Sequence, residues 1–287
     1  MSDSSDKDGV FKIKAPAKTN LWLRVLGKRE DGFHEIETRM VALSLADKLK
    51  LRWREDEEVS LRCSDDSLPT GEENLVVQAV RALEKHCGKV FAVDIELKKK
   101  IPSGAGLGGG SSDAAAVLLA INEMAQLNLP REELAKVGAT IGSDIPFFVY
   151  ERSCDCRGRG EIVEPVSEPV PSLPIFLLKP AFGISAAWAY QRFAESAEYD
   201  GFSYEEQKQD WGSMSNDLER PVFEKFPVLG EMKGWLRAQP EVEAAILSGS
   251  GSTMLAILRK EASGKNFNKR AQERYGETTW SYLGETC

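Results

Sequence analysis

The sequence predicts an α+β fold in two lobes, and three observations carry that expectation. Segments of period-2 alternation are mixed with segments of helical spacing, without the regular strand–helix alternation of a barrel or a doubly wound sheet. Apolar residues fill 42% of the 287 positions, ample for a packed core. Residues 164–174 (EPVSEPVPSLP) carry four prolines in eleven positions and read as a boundary. They divide a first lobe, residues 10–164, from a second, residues 165–287, behind a polar leader at 1–9 expected to be flexible.

The leader, MSDSSDKDG, has no apolar h-region and reads as neither a signal peptide nor a typical transit peptide. Val10–Ile13 is a strand, with Lys18 following it. Residues 48–53 (KLKLRW), 59–63 (VSLRC) and 93–97 (VDIEL) alternate as half-buried strands do. Between the last two, Leu75, Val76, Ala79, Val80 and Leu83 share one helical face. A glycine-rich loop follows, then a helix opened by Ser and Asp (SSDAAAVLLAINEMAQL). Pro130 precedes the next helix, REELAKVGATIG, and Asp144 stands at its end, before an apolar strand (IPFF). In the second lobe a strand at 175–178 (IFLL) leads to helices near 186–197 and 226–237. Two short strands then flank Ser248-Gly-Ser-Gly-Ser-Thr253.

Charge and cysteine narrow the function classes. Lys and Arg number 37 against 45 Asp and Glu, a net −8, which argues against a nucleic-acid binder. It leaves room for an anionic small molecule held by a locally positive site. No apolar run approaches the roughly 20 residues of a membrane span, and a cytoplasmic protein is expected. Five scattered cysteines do not form a disulfide framework. Cys154-Asp-Cys156 could suggest a metal or redox pair, but with two histidines in the chain the plainer reading is reduced thiols on a strand or turn.

Five of the 24 glycines fall at positions 104, 106, 108, 109 and 110. Pro102-Ser-Gly-Ala-Gly-Leu-Gly-Gly-Gly-Ser-Ser-Asp113 runs as strand exit, loop and helix start. Glycines let a backbone approach a bulky anion, and the first N–H groups of a helix favour negative charge. Together they make a phosphate cradle. Gly104-x-Gly106-x-x-Gly109 also matches the dinucleotide fingerprint, but no βαβ unit surrounds it. A Walker loop needs Gly-Lys-Ser/Thr, which is absent, and the protein-kinase motifs do not follow. A bare glycine hairpin is the bland alternative; anion binding is the better reading. Taken singly, Lys18 reads as a solvated lysine and His34 as a turn residue. Asp144, near a helix C-terminus, sits where the dipole disfavours it, as either a functional group or an Asx turn.

In combination these residues resemble a known family. Pro16-Ala-Lys18-Thr-Asn20, the Pro102–Ala115 stretch, Gly142-Ser-Asp144-Ile-Pro-Phe147 and Ser248-Gly-Ser-Gly-Ser-Thr253, in that order, look like the GHMP kinase superfamily across positions 13 to 258. Gly32-Phe-His-Glu35 and Asn216-Asp-Leu-Glu219 narrow the likeness to the branch acting on a cytidine-diphospho-methylerythritol in the non-mevalonate isoprenoid route.

The resemblance implies a ribosomal S5 domain 2-like N-terminal lobe and a ferredoxin-like C-terminal lobe. It implies ATP with Mg²⁺, the phosphates over Gly104, Gly106, Leu107, Gly108, Gly109, Gly110, Ser111 and Ser112, and the base near Asn74, Leu75 and Lys98. Asp144 would take the proton of the substrate's 2-hydroxyl while Lys18 orients and polarises it. Asn20, Phe33, His34 and Tyr190 would hold the substrate, the aromatics walling in the cytosine. The family more often has Tyr where Phe33 stands, which keeps stacking and loses a hydroxyl. No magnesium ligand is assigned. A small-molecule kinase working as a monomer or weak dimer, without nucleic acid or membrane, is expected. The alternatives are a kinase for mevalonate or homoserine, or a non-catalytic nucleotide sensor.

Overall fold

The structure, a computed structural model, describes residues 9–168, 170–260, 262 and 266–287. Apart from Gly9, the polar leader lies outside the described residues. The first strand, β1 (Phe11–Lys28), alternates buried Phe11, Ile13 and Ala15 with exposed lysines and pairs antiparallel with β2 (His34–Trp53). Lys18 therefore lies inside a strand, not after one. Pro16 supplies no ladder donor, and the register shifts between Pro16 and Lys18, the kind of irregularity at which a strand tolerates proline.

Around this pair the first sheet runs β3-β4-β2-β1-β9-β8, with β5 and β6 added beside β2. Here β3 is Val59–Cys63, β4 Val93–Lys98, β5 Cys154–Gly158, β6 Ile162–Pro165, β8 Gln207–Gln209 and β9 Gly212–Asn216. One face is covered by α1 (Leu75–Cys87), α2 (Gly109–Met124), α3 (Arg131–Ala139) and α4 (Ile145–Tyr150). The run expected as a strand after Asp144 is α4. A short, wholly apolar run cannot be sorted by periodicity, and Pro146 marks it as a helix start.

The chain crosses to a second, antiparallel sheet after Pro165. Its order is β10 (Val242–Leu247), β11 (Met254–Leu258), β7 (Pro174–Lys179) and β12 (Trp280–Glu285). One face packs on α6 (Glu219–Lys225), α7 (Pro227–Arg237) and α8 (Phe267–Tyr275), around Phe176, Phe223 and Phe267. The other face lies against the first sheet, where Ile175, Leu177 and Leu255 meet Ala17, Leu43 and Met214. α5 (Ala186–Phe193) packs beside α6, with Ala189 in the core around Phe223, and β9 joins β1 in parallel at Trp22–Ser215 and Leu23–Asn216. Among the described residues, no helix is long and apolar enough to cross a membrane.

Candidate active site

A cleft of about 850 Å³ opens at the junction. Lys18 and Asn20 of β1 line it, together with the start of α1, the loop 102–111, the Ser143–Asp144 turn, Arg159 and Tyr190 on α5. At its floor Lys18 Nζ stands 3.6 Å from Asp144 Oδ2 and donates to Asn20 Oδ1 at 2.8 Å. The Asn20 amide donates to Thr38 Oγ1 at 2.7 Å, and the Thr38 hydroxyl donates to the Trp22 carbonyl at 2.6 Å. This relay fixes the buried ammonium, since a desolvated cation requires partners. Asn20 thus orients Lys18. Asp144 is the N-cap of α4 but makes no side-chain cap bond, leaving its carboxylate to Lys18 and the cleft. The sequence placed it at a helix C-terminus; the helix that matters begins at Ile145, so its dipole favours the carboxylate.

The glycine loop closes on β1 and on the loop 248–253. Lys18 N–H donates to Leu107 O, and Thr253 N–H to Ala105 O, at 3.0 and 3.3 Å. Gly106 has a φ of +73°, and a Cβ there would stand 2.1 Å from Ser248 O, so only glycine fits. Gly104, Gly106, Leu107, Gly108, Gly109, Gly110 and Ser111 all line the cleft at the N-terminus of α2. The first N–H groups of that helix have no intrahelical partner, which is the electrostatics of a phosphate site. Ser112 does not reach the cleft; its side chain is buried and its hydroxyl finds no partner among the described residues.

Lys98 does not reach the cleft either. As the last residue of β4 it projects outward, opposite Lys48, and its neighbour Lys99 turns in. A one-residue step along a strand reverses the face. Lys99 Nζ bonds Asp113 Oδ2 at 2.7 Å and also Asp47 Oδ2, whose other oxygen accepts from the backbone of Lys100 and Ile101. The sequence reading missed Lys99, Asp47 and Asp113; an acid at the expected helix start was the available signal. Burial pushes the Asp113 carboxyl up to about 8 against the pull of Lys99. Burial also opposes the Lys99 charge, but Asp113 and Asp47 outweigh it and hold the ammonium above its usual range.

Asn74 and Leu75 line the same end of the cleft. Asn74 Oδ1 caps α1 by accepting from Val76 N–H at 2.9 Å, a clear structural task. At the other end His34 and Tyr190 stack with ring centroids 5.8 Å apart, and the Arg159 guanidinium covers the exposed Phe33 ring at 4.6 Å. Burial, with Lys28 nearby, holds His34 below the usual imidazole range, favouring a neutral ring that can donate and accept. Cys154 and Cys156 lie buried on β5, the first pushed by burial up to about 12 and the second higher still. These are inert thiols.

A site of this kind, on this fold, defines a small-molecule kinase. The chain matches the family described as GHMP kinases N terminal domain over residues 74–152, and GHMP kinases C terminal over residues 204–277. It is 37% identical, over 95% of its length and 93% of the relative's, to a 4-diphosphocytidyl-2-C-methyl-D-erythritol kinase of Methylacidiphilum infernorum. A protein of the same name from Shouchella clausii is 39% identical over 88% of this chain and 87% of its own. A crystal structure of a 4-(cytidine 5′-diphospho)-2C-methyl-D-erythritol kinase superposes with a TM-score of 0.76 at 33% identity, covering 96% and 98% of the two chains. The chain belongs to the 4-diphosphocytidyl-2-C-methyl-D-erythritol kinase family of the GHMP kinases.

Proposed function

We propose that this protein transfers the γ-phosphoryl group of ATP to the 2-hydroxyl of 4-diphosphocytidyl-2-C-methyl-D-erythritol, giving the 2-phosphate and ADP. The observation that carries this reading is the Lys18–Asp144 pair at 3.6 Å on the floor of a cleft with glycine N–H groups at one end and Phe33, His34 and Tyr190 at the other. Phosphoryl transfer needs in-line positioning, charge neutralisation and an acceptor for the alcohol proton. Asp144 accepts that proton and Lys18 orients the hydroxyl. The loop 104–111 cradles the phosphates, Asn74, Leu75 and Lys99 bound the donor base, and the aromatic end takes the cytosine. A neutral His34 suits hydrogen bonding to a base edge, and Tyr190 with Phe33 supplies ring faces. In this reading residues 10–164 hold the donor and the catalytic pair, and residues 165–287 close the acceptor end.

Magnesium travelling with ATP fits the residues present. Among the described residues no group of three or more His, Cys, Asp or Glu side chains forms a metal cage, and nucleotide-bound Mg²⁺ takes only one or two protein oxygens beside phosphates and water. Ser111, which lines the cleft at the start of α2, would hold it. When bound, it neutralises charge on the transferring group. The test is direct. Pure protein with ATP, Mg²⁺ and the cytidine diphospho-alcohol should release ADP and give the 2-phosphate; turnover of mevalonate or homoserine instead would overturn the reading.

A further inference from the structure

The segment Asn216-Asp217-Leu218-Glu219 contributes no wall to the cleft, yet its polar side chains are tied to β1, which does, and to the end of β10, which leads into the cleft-lining Gly249 and Ser250. Asp217 Oδ2 accepts from Val25 N–H of β1 at 2.8 Å. Glu219 accepts from Leu247 N–H at 2.9 Å and holds the buried Lys233 ammonium at 2.5 Å. Asn216 is the most specific of the three. Its amide donates to Leu247 O at 2.8 Å and to Gly249 O at 2.7 Å, while its oxygen accepts from Leu218 N–H at 2.9 Å. Two donors and one acceptor at that reach describe asparagine alone: a carboxylate has no donor, a hydroxyl only one, and glutamine is a methylene too long.

What Asn216 holds is the back wall of the catalytic lysine. A Cβ built on Gly249 would meet Lys18 Nζ at 3.2 Å, Asn20 Oδ1 at 3.3 Å and Gly106 O at 3.2 Å. One residue earlier, Ser248 shares a 3.0 Å hydrogen bond with Thr19 and donates to Gly106 O at 3.3 Å. The loop 248–253 is thus wedged between the strand bearing Lys18 and the loop expected to carry phosphate, with Asn216 gripping it from behind. We propose that Asn216 is a positioning residue for phosphoryl transfer, setting the spacing between the Lys18–Asp144 pair and the glycine loop; this rests on the catalytic assignment of Lys18 made above. The residue lines no part of the cleft and acts through the Leu247 and Gly249 carbonyls at the start of the loop 248–253.

Steady-state kinetics on the full chain test this, with melting temperatures alongside. Asn216→Asp turns two donors into an acceptor facing two carbonyls. It should lower kcat about 100-fold, with KM for both substrates changed less than about threefold, because sub-ångström misplacement of reacting groups costs rate and not ground-state binding. Asn216→Ser, which keeps one donor and the acceptor, should fall between it and the parent, and it carries the test if Asn216→Asp does not fold. Met232→Ala, a buried packing change on α7, should lower the melting temperature without changing kcat.

The decisive arm is the double variant. If Asn216 works through Lys18, Asn216→Asp should cost less than about threefold in kcat when Lys18→Met is already present. The same loss in both backgrounds, a raised KM at normal kcat, or a loss that merely follows melting temperature would overturn the proposal. Near-normal kcat in Lys18→Met alone would refute the catalytic assignment itself. A crippled Lys18→Met beside a normal Asn216→Asp would refute only the positioning role.

Discussion

Asp144 and Lys18 are worth more for where they stand than for how strongly they bind each other. A 3.6 Å contact with a carboxylate that is 32% exposed is a modest ion pair, but it aims both groups at one point in the cleft. Asp144→Asn keeps shape and loses the proton acceptor, so kcat should fall by about 10²–10⁴-fold with binding of both substrates retained; a near-normal kcat would make Asp144 structural. Phe33 offers an equally local test. It is half exposed at the aromatic end, and Phe33→Ala should raise KM for the cytidine substrate about tenfold while leaving KM for ATP nearly unchanged, as loss of one base-stacking face predicts. Equal effects on both constants would contradict the stacking role. Most of the side chains that reach the cleft were legible because their motifs are local and carry their own backbone chemistry. Lys99 was not. Three consecutive lysines look alike until the pleat decides which one faces inward, and the partners that draw Lys99 in, Asp47 and Asp113, come from another strand and a following helix.

Among the elements, long strands and short helices were the least legible, for opposite reasons. β1 hides its length behind Pro16 and a register shift, whereas α4 has too few residues to display a period. The glycine loop was legible as a loop, but its tightness comes from a distant segment. Gly106→Ala would press a methyl group into the Ser248 carbonyl at a positive φ, so a stability loss of about 1–3 kcal/mol, with a deep loss of kcat, is expected in thermal unfolding and turnover assays. The start of α2 supplies a pH dependence. Burial raises the Asp113 carboxyl to about 8, so the folded state holds a proton that the unfolded chain releases near pH 4. That contribution is complete below about pH 4 and is lost as pH rises through about 8. Asn mimics the protonated carboxyl. Asp113→Asn should therefore flatten the decline in melting temperature between about pH 5 and pH 8; parallel curves for variant and parent would sink the idea.

The whole molecule poses an electrostatic question, since an acidic protein of net −8 is read as taking two polyphosphates side by side. The cleft does not answer it with excess positive charge. Its lining includes three cations, Lys18, Lys99 and Arg159, against three acids, Asp31, Glu73 and Asp144, with the buried Asp113 carboxyl held protonated. The cations are already engaged: Lys18 with Asp144, Lys99 with Asp47 and Asp113, and Arg159 with Glu161 at 3.6 Å. Attraction must then come from short-range dipoles, the N–H groups of the glycine loop and the first turn of α2, which act over a few ångströms and fall away beyond. At longer range the anionic substrates meet a repulsive surface. Salt screens that repulsion but hardly touches dipoles inside the cleft. Raising ionic strength from about 10 to 150 mM at fixed Mg²⁺ should therefore leave kcat/KM for both substrates flat or slightly raised, the reverse of a basic funnel that steers anions in. A steep fall in kcat/KM with salt would mean that net positive charge, and not backbone geometry, brings the phosphates to Lys18.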